Sequence, residues 1–347
     1  MSLAHAYGFT SPTSPCRPLQ IERRDPGPTD VLFDIMFAGI CHSDIHTVRG
    51  EWGKQVYPLV PGHEIAGIVR EVGSQVTKYK PGDRVGVGCM VDSCGECKYC
   101  LKDLEQYCPT TNWTYGGVDK QGNPTQGGYS QSITVAEKFV FRIPDNIPLD
   151  KAAPLLCAGI TTYSPLKAWV KPGMNVAVVG LGGLGHVGVQ IAAAMGAEVS
   201  VISQTLSKRE DGLALGATHY YAAGEEGTFK GLRNHFDMIL STVSATDDYT
   251  NYISSLNETG VLVNVGLPGD PINLALRALA PGRTLMGSQI GGCAQTQEML
   301  DFCGEHDVVP RIETIEGDQI TEAYGKVVTS QVRYRFVIDA ESLGARP

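Results

Sequence analysis

The chain has 347 residues, 42% of them hydrophobic, with a formal net charge of −9 at pH 7 and a pI near 5.4. That is enough apolar chain for a large core, and more than one core usually accommodates, so two domains are expected. The acidic balance excludes a nucleic-acid footprint and a strong pull toward anionic membranes, so any anionic ligand must find a local basic pocket.

In chain order, the first ten residues carry neither a basic stretch nor an apolar run of the kind that directs export. A cytoplasmic protein with its ten cysteines reduced is therefore expected. Up to about residue 154 the chain is dense in Gly and Pro around short β-rich runs at 31–38, 65–72 and 132–135, which reads as an irregular β domain. From residue 175 the pattern changes to strand 176–179, helix 184–195, strand 198–202, helix 208–215, and strands at 238–240 and 261–265. Repeated βα units imply an α/β domain with a doubly wound parallel sheet. Glycines and polar residues interrupt the apolar stretch 176–197, so no membrane helix is expected. A helix at 295–306 and a strand at 334–339 end the chain, and this tail is expected to rejoin the first domain.

The most specific motif is Cys94, Cys97, Cys100 and Cys108, spaced to wrap one loop round a metal. Four thiolates form a closed tetrahedral shell that suits a structural zinc with no open position. Two disulfides fit poorly in a chain without an export signal, and ferredoxin-like iron–sulfur runs space their last cysteine differently.

Gly180, Gly182, Gly183, Leu184 and Gly185 follow an apolar strand and open a helical run, the strand–turn–helix setting of a dinucleotide fingerprint. At the end of the next strand, where an NAD site places an acid for the ribose 2′-OH, the chain has Ser203, followed by Gln204, Thr205, Lys208 and Arg209. Hydroxyls and cations without a carboxylate suit a 2′-phosphate, so NADP(H) is the expected cofactor. Cys41, His63 and Cys157 offer two thiolates and an imidazole, a known zinc set whose fourth position stays open. Spacing does not show whether they converge, since Cys157 alone reads as a small buried hydrophobe and His63 as a satisfied core histidine.

The segments 39–44, 61–64, 94–108, 153–161, 180–185 and 333–339 together resemble zinc-dependent medium-chain alcohol dehydrogenases, most closely the cinnamyl-alcohol dehydrogenase branch with its bacterial NADPH-dependent aldehyde reductases. The resemblance implies a GroES-like catalytic domain over 1–157, a Rossmann cofactor domain over 158–291 and a return of 292–347 to the catalytic domain. It implies two zinc ions per chain: a catalytic one on Cys41, His63 and Cys157, with Glu64 able to ligate, and a structural one on the four-cysteine loop. It further implies that Asp44 orients a ligand, that Ser43 and His46 relay the product proton, and that Thr161, Thr242, Val265, Ser288 and Arg335 meet the cofactor. Trp52 and Trp113 are candidate walls of a pocket for aromatic or medium aliphatic aldehydes. The implied activity is reversible hydride transfer between NADP(H) and a small alcohol or aldehyde, by a homodimer. A polyol dehydrogenase, a zinc-free quinone or enoyl reductase of the same superfamily and a non-enzymatic descendant are the competing readings.

Overall fold

In the computed structural model, which describes residues 2–244, 249–267 and 269–344, the chain forms two compact units. One comprises Met1–Cys157 with Gly291–Pro347, the other Ala158–Ile290.

The first unit is built on the strand Asp30–Gly39, ten residues long, whose Val31, Leu32, Phe33, Ile35 and Ala38 are buried. It pairs antiparallel with Ile65–Val72, Ser132–Ala136 and Arg335–Asp339. Register shifts between Leu32 and Phe33 and between Ile35 and Phe37 mark bulges, which bend a strand that must serve three partners. Val337 pairs with Gly39, so the returning tail lies beside the strand end that leads into Cys41. Two small sheets complete the unit: Ser2–Gly8 with Arg17–Arg23, and Met90–Asp92 with Asn112–Trp113. The first was not expected from the sequence, because its buried Ala4 and Ala6 are small and leave a faint alternation.

The second unit is a six-stranded, wholly parallel sheet in the order His219–Ala222, Glu198–Ser203, Asn175–Val179, Phe236–Ser241, Leu256–Asn264, Thr284–Gly287. Counted along this unit, the order is 3-2-1-4-5-6, that of a doubly wound dinucleotide fold. Ala177, Val179, Ile239, Leu262, Phe236 and Ile253 pack one core, all at most 2% exposed. The helix expected at 208–215 begins instead as a tight turn, Leu206–Lys208, and continues as Arg209–Ala214. The strands His219–Ala222 and Thr284–Gly287 and the helices Tyr249–Ser255 and Ile320–Val328 lie outside the expected elements. Among the described residues no helix is long and apolar enough to cross a membrane.

Candidate metal and cofactor sites

In the first unit, Cys94, Cys97, Cys100 and Cys108 bring their four sulfurs within 4.8 Å of one another. Individual separations are 3.9 Å (Cys94 to Cys100), 3.6 Å (Cys97 to Cys100) and 3.5 Å (Cys94 to Cys108). A tetrahedron with zinc–sulfur bonds of about 2.3 Å has edges of about 3.8 Å, whereas a disulfide needs about 2.05 Å. The loop therefore fits a metal and not a pair of disulfides. Burial works to raise the Cys108 thiol, but hydrogen bonds from the Cys94 backbone and from Thr110 bring it down to about 6. The loop is moored by Glu105, fully buried, which accepts from Cys293 N at 3.0 Å and pairs with Lys138 at 2.7 Å.

A second cluster joins Cys41, His63, Glu64 and Cys157, whose ligand atoms also lie within 4.8 Å and are all buried. Cys41 follows the strand Asp30–Gly39 and precedes the helix His42–Val48; Cys157 lies in the π-turn Leu155–Gly159. Their sulfurs are 3.9 Å apart, again the edge of a zinc tetrahedron. The bond between them holds Cys41 well below the ordinary thiol value, aided by the Arg335 charge against burial, and holds Cys157 well above it. Burial works to lower His63, but the charges of Cys89 and Asp44 outweigh it and raise it well above its usual value.

His63 turns Nδ1 to Asp44 Oδ1 at 3.2 Å, which leaves Nε2 for the cluster. Asp44, fully buried, also accepts from Cys41 N at 2.9 Å, Gly62 N at 3.1 Å and the Tyr129 hydroxyl at 3.0 Å. Gly62, at φ 108°, lets the Tyr129 ring pass: a Cβ there would stand 2.6 Å from Tyr129 Cδ1. Burial and the Asp44 charge keep the Tyr129 phenol well above its ordinary value, so it remains a donor. Tyr115 stacks on the His63 ring, centroids 5.7 Å apart.

Glu64 is fully buried and, among the described residues, neither of its oxygens accepts a hydrogen bond. Burial pushes it up to about 8 against the pull of Arg335, whose Nη1 lies 3.2 Å from Oε1 and also donates to Ile40 O. The contact is thus an ion pair of imperfect hydrogen-bond geometry, and a metal would satisfy the carboxylate better. A Cβ on Gly39 would come within 2.0 Å of Glu64 Oε2, so only glycine leaves room for the carboxylate. The structure places Arg335, implied at a pyrophosphate, at 4% exposure against Glu64 and Ile40.

Ser43 Oγ lies 3.5 Å from Cys41 Sγ. His46 stands one turn along the same helix; its Nδ1 pairs with Glu51 and its ring stacks on Trp52 at 4.9 Å. Among the described residues Ser43 and His46 are not hydrogen-bonded to each other. Trp52 and Trp113 are 46% and 37% exposed, so neither is core. Glu51, Tyr115 and Tyr129 escaped the sequence reading; only the acid five places after His46 left a signal.

In the second unit the expected cofactor residues gather at the carboxyl ends of the parallel strands. Gly180 takes φ 89°, and a Cβ on Gly185 would come within 1.8 Å of Gly180 O. A Cβ on Gly182 would meet nothing within 4 Å, leaving the open approach that a pyrophosphate needs. Thr242 donates to Val179 O at 2.8 Å and Lys208 to Leu181 O at 2.9 Å, holding the glycine turn. Ser203 ends its strand, Thr205 accepts from Ser207 N, Arg209 is exposed, and Val265 and Ser288 follow the strands Leu256–Asn264 and Thr284–Gly287. Thr161 lies near the start of Ile160–Trp169, 7% exposed. No carboxylate replaces Ser203, and the donors present fit a 2′-phosphate.

The chain matches two family descriptions, "Alcohol dehydrogenase GroES-like domain" over residues 27–145 and "Zinc-binding dehydrogenase" over residues 183–305. It is 59% identical over 347 residues to the NADP-dependent alcohol dehydrogenase C of Mycobacterium tuberculosis, covering 99% of this chain and 100% of that one. Among solved structures it superposes on a cinnamyl alcohol dehydrogenase from Sorghum bicolor with TM-score 0.96 at 41% identity, covering both chains fully. The CAD from Helicobacter pylori complexed with NADP(H) gives TM-score 0.92 at 43% identity over 98% of each chain.

Proposed function

Because this chain belongs to the zinc-dependent medium-chain alcohol dehydrogenases, in the cinnamyl-alcohol dehydrogenase branch, we propose that Cys41, His63 and Cys157 hold the zinc at which it interconverts aldehydes and alcohols. It is an NADP-dependent alcohol dehydrogenase. One observation carries the site assignment: three segments distant in sequence bring two sulfurs, an imidazole and the Glu64 carboxylate, which accepts no hydrogen bond among the described residues, within 4.8 Å.

When bound, zinc supplies the Lewis acid that polarises a carbonyl oxygen, and NADP(H) supplies or accepts the hydride. The chain's own residues do the rest. Asp44 fixes the His63 tautomer, and Glu64 offers a further oxygen ligand from the same cluster. Ser43 Oγ takes the alcohol proton in oxidation and returns it in reduction; a bridging water carries it to Nε2 of His46, whose Nδ1, paired with the partly exposed Glu51, releases a proton toward solvent.

Ser203, Gln204, Thr205, Lys208 and Arg209 bind the 2′-phosphate, Gly180, Gly182, Gly183, Leu184 and Gly185 the pyrophosphate turn, and Thr161, Thr242, Val265 and Ser288 the remainder of the cofactor. Trp52 and Trp113 line a pocket for aromatic or medium aliphatic aldehydes, with reduction the favoured direction. The protein acts in the cytoplasm as a homodimer joined along Thr284–Gly287, an edge strand flanked by the exposed Leu267 and Leu276. The test is a panel of aldehydes, alcohols and polyols with NADPH, NADP, NADH and NAD on protein of known zinc content. The reading expects two zincs per chain and higher kcat/KM with NADPH. Higher kcat/KM with NADH overturns the cofactor assignment, and one zinc per active chain overturns the metal assignment.

A further inference from the structure

We propose that Tyr129 is a positioning residue for the catalytic zinc: its phenol restrains the Asp44 carboxylate, and through it the strength with which His63 binds the metal. The proposal rests on the assignment of that zinc to Cys41, His63 and Cys157. Asp44 is fully buried, and among the described residues no lysine or arginine pairs with it. Its charge is carried by hydrogen-bond donors alone. Oδ2 accepts from Cys41 N and the Tyr129 hydroxyl; Oδ1 accepts from Gly62 N and faces His63 Nδ1, and the buried Tyr115 phenol also interacts with the carboxylate. Tyr129 is in turn reached by the Tyr324 hydroxyl at 3.4 Å, on the helix Ile320–Val328. The hydrogen bonds therefore run from Tyr324 to Tyr129 to Asp44, with His63 donating from the opposite side.

Donors to one carboxylate compete for its charge. Each bond to Asp44 that does not come from His63 weakens the pull on the Nδ1 proton, and a weaker pull makes Nε2 a poorer electron donor. The phenol thus keeps His63 from donating too strongly, which preserves the metal's ability to polarise a carbonyl. The packing that places it is specific: Tyr129 is fully buried, and its ring occupies space that any residue but glycine at 62 would fill.

The test is the rate at which zinc leaves each site to a chelator, read with the Cys₄ zinc as internal reference, together with the visible spectrum of the cobalt-substituted enzyme. Tyr129→Phe is expected to slow loss of the catalytic zinc relative to the Cys₄ zinc, to shift the cobalt bands and to lower kcat more than KM. Placing 3-fluorotyrosine at position 129, a stronger donor of the same shape that leaves the packing intact, is expected to speed the loss. Asp44→Asn is expected to speed it roughly 10- to 100-fold. Unchanged or faster loss in Tyr129→Phe, or no response to fluorination, overturns the proposal and leaves the zinc assignment standing. A single zinc per chain in the unaltered enzyme overturns that assignment, and the proposal with it.

Discussion

At the scale of single residues, the chemistry rests on groups whose burial would be costly if they stood alone. Glu64 and Arg335 are 0% and 4% exposed, and removing one partner leaves a buried charge without compensation. Arg335→Met is expected to cost at most about 3–5 kcal/mol of stability, measured by urea unfolding, and less where Glu64, already pushed up to about 8, takes up a proton. Adding Glu64→Gln should recover more than half of that loss; simple additivity of the two changes would contradict the pairing. The proton path makes a separate claim. Ser43→Ala and His46→Gln should each lower kcat by about 10²–10⁴, without changing zinc content, and full activity in both would remove the relay. Glu51, paired with His46 Nδ1, would join the proposed path at its solvent end.

At the scale of elements, the glycine turn separates folding from binding. Gly180 lies at φ 89°, and a Cβ added there would stand 2.6 Å from Val243 Cγ1, so Gly180→Ala should destabilise by roughly 1–2 kcal/mol or more. Gly182 has open space at the same atom, so Gly182→Ala should unfold at the wild-type temperature yet raise KM for NADPH. Equal KM in Gly182→Ala and wild type would show that no phosphate approaches there.

The mooring of the four-cysteine loop gives a pH prediction. Burial works to raise Glu105, but the Lys138 hydrogen bond and the Cys293 N–H outweigh it and hold it below the usual carboxylate value. A carboxylate lowered by folding contributes stability above its unfolded pKa, about 4.3, and loses it as pH falls through the lower folded value. Glu105→Gln should therefore be less stable than wild type at pH 7, with the gap closing below about pH 4.3. A gap that stays constant across that range in urea titrations would contradict the linkage.

Elements also show why some of the fold was legible and some was not. The four-cysteine loop and the glycine fingerprint are local, each confined to one turn of chain, so spacing alone displays their chemistry. Cys41 and Cys157 are 116 residues apart, and nothing in either neighbourhood announces the other. Their meeting depends on the pairing of Asp30–Gly39 with its neighbours and on the π-turn Leu155–Gly159, which periodicity does not reveal. Tyr129 sits in a Gly-Gly-Tyr-Ser stretch outside any motif, and its contact with Asp44 spans 85 residues. The edge strand Thr284–Gly287 is largely exposed, so it lacks the apolar run that marks the inner strands.

At the scale of the whole molecule, an acidic chain with two metal clusters in one unit and a parallel dinucleotide sheet in the other divides its labour. The central claim is that catalysis depends on a metal at Cys41, His63 and Cys157. The most direct measurement removes zinc stepwise with a chelator and follows, on the same samples, zinc per chain and the rate of NADPH-dependent aldehyde reduction. The account predicts two zincs per chain at the start, a rate that falls in proportion to loss of the one bound at Cys41, and recovery when zinc is returned. A preparation with that site emptied and the Cys₄ zinc retained, still reducing aldehyde at the native rate, would contradict it.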